Sequence, residues 1–197
     1  MRELIVATRN KGKLREIKEL LADLDFKIVS LDELAAMPKI IEDGQTFKDN
    51  AIKKAVTIAR HTQKLTLGED SGLEVKALAN QPGVYSARFS GANATDEKNN
   101  AKLLRLLRGL ALNKRQARYR CFAALADEKG VVGVVSGSCS GLIATRHKGK
   151  NGFGYDPLFL IPRYGKTFGE LPSEIKAKMS HRSHALQKIK KFLITNY

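Results

Sequence analysis

Two runs of β-branched and small residues, 118–126 and 131–143, flank the tetrapeptide Asp127-Glu128-Lys129-Gly130. Turn residues between such runs predict a long β-hairpin, which limits the remaining segments to elements able to pack on a sheet. Upstream, strand-like and helix-like stretches alternate. Residues 3–7 and Phe26–Val29 read as short buried strands. Between them Leu14, Ile17, Leu20 and Leu21 recur at helical spacing. Gln45–His61 is again helical through Phe47, Ala51, Ala55, Ile58 and Ala59. Thr66–Leu67 is expected to run as a strand into a turn at Gly68–Gly72, with Leu73–Val75 leaving as a second strand. Thr95 is expected to cap a helix whose apolar face carries Leu103, Leu104, Leu106 and Leu107. Ser180 is expected to cap a final helix with Ala185, Leu186, Ile189, Phe192 and Leu193 on its apolar side. An α/β beginning joined to a long hairpin predicts an α/β fold with a mixed sheet. No repeat, linker or low-complexity segment interrupts it.

The 197 residues fit one large domain or two closely packed lobes, and 43% hydrophobic content supplies a core. No stretch approaches the roughly 18 consecutive apolar residues of a membrane span, and the first residues lack a signal peptide's apolar segment and cleavage site. Cys121 and Cys139 lie in strand-like runs far from any Cys or His at zinc spacing, so buried free thiols are expected. These features predict a cytoplasmic protein. The charge is the dominant bulk property: 35 Lys and Arg against 20 Asp and Glu give +15. From Lys98 to Ala126 there is no acid, while Lys98, Lys102, Arg105, Arg108, Lys114, Arg115, Arg118 and Arg120 are all basic. Such a field attracts nucleic acid or a small phosphorylated ligand, or is simply a solvated face.

Four segments carry candidate chemistry. In Ala7-Thr8-Arg9-Asn10-Lys11-Gly12-Lys13 a strand ends and a helix begins, offering free N–H groups and lysines to an anion; the plain alternative is an ordinary N-cap. Gly68-Glu69-Asp70-Ser71-Gly72-Leu73 places two carboxylates side by side in a very basic chain. Alternation along an extended backbone sends them to opposite faces, dividing their roles, and a magnesium ion needs only one or two carboxylates; a solvated acidic turn is the alternative. Gly149-Lys150-Asn151-Gly152-Phe153-Gly154-Tyr155-Asp156-Pro157 combines flexible backbone, stacking rings and a carboxylate. Lys176-Ala177-Lys178-Met179-Ser180-His181-Arg182 supplies donors for phosphate or a base edge. For these last two, a tight turn and a basic helix start are the alternatives. His181 and His184 lack a third ligand, which argues against zinc.

The same segments, in this order, resemble the inosine triphosphate pyrophosphatase family, the non-canonical purine NTP pyrophosphatases. The matching pieces are Ala7-Thr8-x-Asn10-x-Gly12-Lys13, Glu42-x-Gly44-x-Thr46-Phe47 with Asn50-Ala51, and Asp70-Ser71-Gly72-Leu73-x-Val75. Pro82-Gly83-Val84-Tyr85-Ser86-Ala87-Arg88, Gly152-Phe153-Gly154-Tyr155-Asp156-Pro157 and Ser180-His181-Arg182 complete the set. The resemblance implies an elongated mixed sheet with flanking helices, two lobes enclosing an active-site cleft, and a homodimer. It implies Mg²⁺-dependent hydrolysis of ITP, dITP and XTP to monophosphate and pyrophosphate. Glu42 and Asp70 would hold the metal, and Asp70 would be the catalytic base. Thr8, Asn10, Gly12, Lys13 and Ser71 would meet the phosphates. Phe153 would stack on the purine, within a substrate-binding set that also includes Gly154, Tyr155, Asp156, Lys176, His181 and Arg182. The sequence departs from the family's usual pattern at Glu69, where a second Asp is common, and at Ala177, where Asn is common. Glu69 is expected to support the site rather than bind the metal. Two other readings accompany this one: a pyrophosphatase for other modified nucleotides, and a nucleic-acid-binding module built on the basic Lys98–Arg120 stretch. Ordered acidic sites count against specific nucleic-acid binding.

Overall fold

The computed structural model of the chain describes residues 2–197. Seven strands form one mixed sheet: β1 (Arg2–Val6), β2 (Phe26–Ser30), β3 (Thr66–Val75), β4 (Gln116–Asp127), β5 (Gly130–Ile143), β6 (Phe159–Ile161) and β7 (Lys166–Thr167), in the order β2-β1-β3-β4-β5-β6-β7. Five helices accompany them: α1 (Lys11–Leu20), α2 (Phe47–Thr62), α3 (Asp96–Leu106), α4 (Ser173–Met179) and α5 (His181–Asn196). None is long and apolar enough to cross a membrane. The chain divides into two compact units. The first runs through Ser71 and takes up Cys121–Gly137 and His181–Tyr197; the second is Gly72–Arg120 with Ser138–Ser180.

In the first unit β1 pairs in parallel with both β2 and β3, Val6 opposite Ser30 on one side and Leu67 on the other. Strands two and three therefore leave β1 in opposite directions. In open α/β sheets, ligands sit at such a reversal, beyond the carboxyl ends of the strands. Leu4, Val6, Ile17, Leu67, Cys121, Leu125, Leu186, Ile189 and Leu193 form one core cluster. A second cluster is made almost wholly of alanine, Ala51, Ala55 and Ala59 of α2 with Ala124 and Ala126 of β4. Small side chains let α2 lie close to the sheet. At the N-terminus of α2, Thr46 Oγ1 accepts from Asp49 N while the Asp49 carboxylate accepts from Thr46 N, a reciprocal cap.

In the second unit α3 begins at the expected Thr95 cap and packs Leu103 and Leu107 into a cluster with Leu73, Val75, Tyr119, Tyr155, Phe159 and Phe168. Leu106, expected on that face, is 45% exposed, because its position rotates away from the stripe set by Leu103 and Leu107. β6 and β7 pair antiparallel, Leu160 opposite Thr167.

The hairpin turn is as expected, with Asp127 accepting from Lys129 N and Gly130 N. Both cysteines are buried and free. The main departure is at 68–72. No turn interrupts the chain there; β3 runs unbroken from Thr66 to Val75. A Cβ on Gly68 would strike the Ala51 carbonyl oxygen and the Ala55 amide nitrogen, so this glycine serves helix–strand approach rather than a bend. Gly68→Ala is expected to cost about 1–3 kcal/mol, the usual penalty of overpacking a tight contact. Urea unfolding at unchanged m would show it; an unmoved midpoint would contradict the close packing.

Candidate active site

The first cluster assembles where β1 gives way to α1. Asn10, extended at φ −75° and ψ 109°, caps α1 by accepting from Lys13 N at 2.9 Å. Thr8 Oγ1 accepts from Asn10 N at 3.2 Å. This bracing points Lys13 toward β3, where its ammonium lies 2.9 Å from Glu69 Oε2 and 4.0 Å from Asp70 Oδ1. From α2, Lys54 reaches Asp70 Oδ1 at 3.3 Å and Glu42 Oε2 at 2.9 Å. Asn50, one turn earlier, donates to Asp70 Oδ2 at 3.1 Å and accepts from Gly44 N at 2.8 Å. Asn50 thereby ties the irregular segment carrying Glu42 to the strand carrying Asp70.

The two neighbouring carboxylates differ in their surroundings. Glu69 is fully buried, held by Arg182 Nη2 at 3.1 Å, by Lys13, and by the Cys121 thiol donating at 3.2 Å. Burial alone would raise its carboxyl. The Arg182 guanidinium and the Lys13 ammonium overcome that and hold it well below 4.5. Asp70 is 7% exposed. Its carboxyl is raised by burial, which Lys54 and Lys13 offset only in part. Lys54 is raised as well: burial opposes its charge, but Asp70 and Glu42 outweigh burial. The site thus pairs a buried Glu whose proton affinity is depressed with an Asp whose proton affinity is lifted, the direction that suits a general base.

Arg182, at the start of α5, is 1% exposed. It pairs with Glu16 and Glu69 and donates to Ser71 Oγ at 3.0 Å. Those two carboxylates hold its guanidinium charged against the penalty of burial. In this arrangement Arg182 is a post that fixes Glu69 and Ser71 on β3. His181 beside it is 4% exposed, and its carbonyl lies against Gly137, where a Cβ would collide with it.

The second cluster belongs to the other unit. Gly152 and Gly154 take left-handed backbone, φ +79° and +62°, and a side chain on Gly152 would occupy the place of the Asp156 carboxylate. Asp156 Oδ2 accepts from Phe153 N at 2.9 Å and from Lys176 Nζ at 2.6 Å. The Lys176 ammonium sits 4.8 Å from the centre of the half-buried Phe153 ring. Gly154 donates to Asp96 Oδ2 and accepts from Asn100 Nδ2. Tyr155 is core: 4% exposed, its hydroxyl donating to the Ser86 carbonyl at 2.8 Å. What this loop presents is the Phe153 ring under a cation, with Asp156 and Tyr155 fixing the loop from beneath.

Thr8, Asn10, Gly12, Lys13, Glu42, Asp70, Ser71, His181 and Arg182 thus fall in the first unit, and Phe153, Gly154, Tyr155, Asp156 and Lys176 in the second. Sequence reasoning missed Lys54 altogether. Its signal was a lysine within the apolar stripe Phe47, Ala51, Ala55, Ile58 of α2, a position tolerable only opposite a buried anion. Glu42 and Asp70 both face the Lys54 ammonium, so the pair already encloses a cation's place with hard oxygen donors. No cluster of three or more His, Cys, Asp or Glu poised for a metal occurs among the described residues. A magnesium ion asks for less, one or two carboxylates with water and substrate oxygens completing its shell, and Glu42 and Asp70 fit that requirement.

Residues 4–192 match the Ham1 family model. The chain is 50% identical to a dITP/XTP pyrophosphatase of Desulforamulus reducens, covering 97% of this chain and 95% of that one. It is 49% identical to a dITP/XTP pyrophosphatase of Geobacter sulfurreducens, over 98% and 97%. A solved HAM1 protein from Coxiella burnetii superposes with a TM-score of 0.89 at 39% identity, over 99% of this chain and 100% of that one. The Ham1 protein of Staphylococcus aureus gives 0.88 at 37%, over the full length of both. The match of a family model over nearly the whole length, with relatives at half identity, places the chain in the Ham1 family.

Proposed function

We propose that this chain hydrolyses deaminated purine nucleoside triphosphates, dITP, ITP and XTP, to the monophosphate and pyrophosphate. The observation that carries the reading is Asp70, a carboxylate lifted by burial yet fixed by Asn50 and Lys54, beside a capped helix start that suits an anion. The names of the relatives supply the substrate class.

In this mechanism Asp70 orients a water and takes its proton as the oxygen attacks the α-phosphorus. A new P–O bond forms there, the α–β bridging bond breaks, and pyrophosphate leaves. Lys13 and the first free N–H groups of α1 meet the negative charge that grows on the departing group. Magnesium held by Glu42 and Asp70 would neutralise phosphate charge and polarise the phosphoryl oxygens. Phe153 offers its ring to the purine, and Lys176 above it is the donor for the 6-keto oxygen of hypoxanthine or xanthine. Adenine presents an amino group at that position, leaving donor against donor. An unpaired group of that kind discriminates by several powers of ten. A homodimer in the cytoplasm completes the proposal.

The test is phosphate release, coupled to inorganic pyrophosphatase, from dITP, ITP, XTP and the four standard NTPs, with and without magnesium. Deaminated purines are expected to exceed ATP in kcat/KM by at least 10²-fold, with turnover lost on metal removal. Equal rates on ATP and ITP would overturn the substrate reading.

A further inference from the structure

The second unit contains a cavity of about 840 Å³ whose lining includes Ser90, Lys98, Lys102, Arg105, Arg108 and Arg115. Five of its residues are cationic and none is acidic. Among the described residues, none of the five is paired with a carboxylate. The Arg115 guanidinium spends its donors on carbonyls, those of Ile143, Leu107 and Ala144 at 2.7–2.9 Å. That group is 3% exposed, so its positive charge stays in the wall without neutralisation. Lys102 and Lys98 likewise bond only the carbonyls of Phe89 and Asn93. Arg105 and Arg108 are exposed. The nearest acids on α3 are otherwise engaged: Asp96 accepts from Gly154 N, and Glu97 is bonded at the Thr95 cap. Elsewhere the chain's buried cations face carboxylates, as Lys54, Lys176 and Arg182 do. A second, independent oddity is Ser90, whose buried hydroxyl has no hydrogen-bond partner.

A concave field of one sign concentrates anions, and the volume falls within the roughly 300–1,000 Å³ of small-ligand sites. Ala101, Leu104 and Leu110 add an apolar wall. From these observations we infer that the cavity on α3, which shares no residue with the Asp70 cluster, is a binding site for a condensed-phosphate chain. Free pyrophosphate or tripolyphosphate and the phosphate tail of a nucleotide share that chemistry. Arg105 and Arg108 close on the chain with the forked donors that suit phosphate. The cavity's small-molecule volume favours such a ligand over a nucleic-acid strand.

Calorimetric titration of the full chain with tripolyphosphate, ATP and a 20-nucleotide single strand tests this, with the doubly substituted Arg105→Ala/Arg108→Ala chain alongside. The parent is expected to bind tripolyphosphate or ATP in a class of sites that weakens at least tenfold in the double variant, while turnover on dITP stays unchanged. ATP binding the tighter assigns the site to nucleotides, and tripolyphosphate binding as well or better assigns it to free condensed phosphate. Lys114→Ala, an exposed cation outside the cavity, is expected to change nothing. The inference is overturned if the double variant binds as the parent does, or if Lys114→Ala costs as much, since a diffuse field would then suffice. It is equally overturned if the oligonucleotide is the ligand that depends on both arginines, or if the double variant changes the chain's mass by light scattering, which would make this face a contact between copies. Binding is read without turnover, so a chain inactive on dITP still decides the question.

Discussion

Asp70→Asn is expected to lower kcat by about 10²–10⁴, the usual contribution of a general base, while KM changes little. The amide keeps the size of the carboxylate and can still accept from Asn50, but it cannot take a proton from water. Its effect on stability should be small. Burial lifts the Asp70 carboxyl above its ordinary 3.8, which means the folded state disfavours the ionised form that prevails at neutral pH. Removing that charge relieves a penalty. Against this, the new amino group faces Lys54, which retains Glu42 at 2.9 Å, and Lys13 retains Glu69 at 2.9 Å. The two effects nearly cancel, so the folding free energy should move by no more than about 1 kcal/mol, a few degrees in Tm for a chain this long. Steady-state kinetics and a thermal scan on one preparation check both halves. Near-normal turnover would remove Asp70 from the role of base, and a fall in Tm matching the loss of activity would make the effect structural.

The legible parts of this molecule were those where local pattern and tertiary demand agree. The hairpin, the cap at Thr95 and the apolar spacing of α1, α2 and α5 follow from period and turn chemistry, and tertiary packing confirms them. The segment 68–72 was misread because Gly, Glu, Asp, Ser and Gly favour turns when only neighbours along the chain are considered. What makes them a strand lies far away in sequence: the alanines of α2 that require a glycine, and the cations on α1, α2 and α5 that let two carboxylates be buried. The same blindness hid Lys54. A helical wheel places it among apolar residues, and only its partners on β3 and at Glu42 explain it. Arg182 reads from its motif as a ligand donor, and its pairing with Glu16, Glu69 and Ser71 has no trace in that motif. Long-range charge pairing has no period, so a single sequence carries little trace of it.

Arg182→Ala is expected to destabilise the chain by about 3–5 kcal/mol, the cost of leaving a buried carboxylate without its partner. Glu69 would retain Lys13, and Glu16 would lose a charge-paired bond. The loss should depend on pH in a definite direction. In the parent, Arg182 and Lys13 hold Glu69 well below 4.5 against burial, so its stabilising contribution is present above about pH 4.5 and disappears as the pH falls through the depressed folded value. Without Arg182, burial dominates and the Glu69 carboxyl rises, so acid lets it become neutral in the fold. The gap between variant and parent should therefore narrow as the pH drops toward 4.5. Glu69→Gln in the Arg182→Ala background should recover part of the loss, leaving the double variant less destabilised than the sum of the single changes. Urea unfolding at pH 7.5 and pH 5 across the four chains measures all of this. A loss under about 1 kcal/mol, or one independent of pH and of residue 69, would mean that Arg182 is not the post on which β3 holds its carboxylates. Asp70 would then owe its position to Asn50 and Lys54 alone.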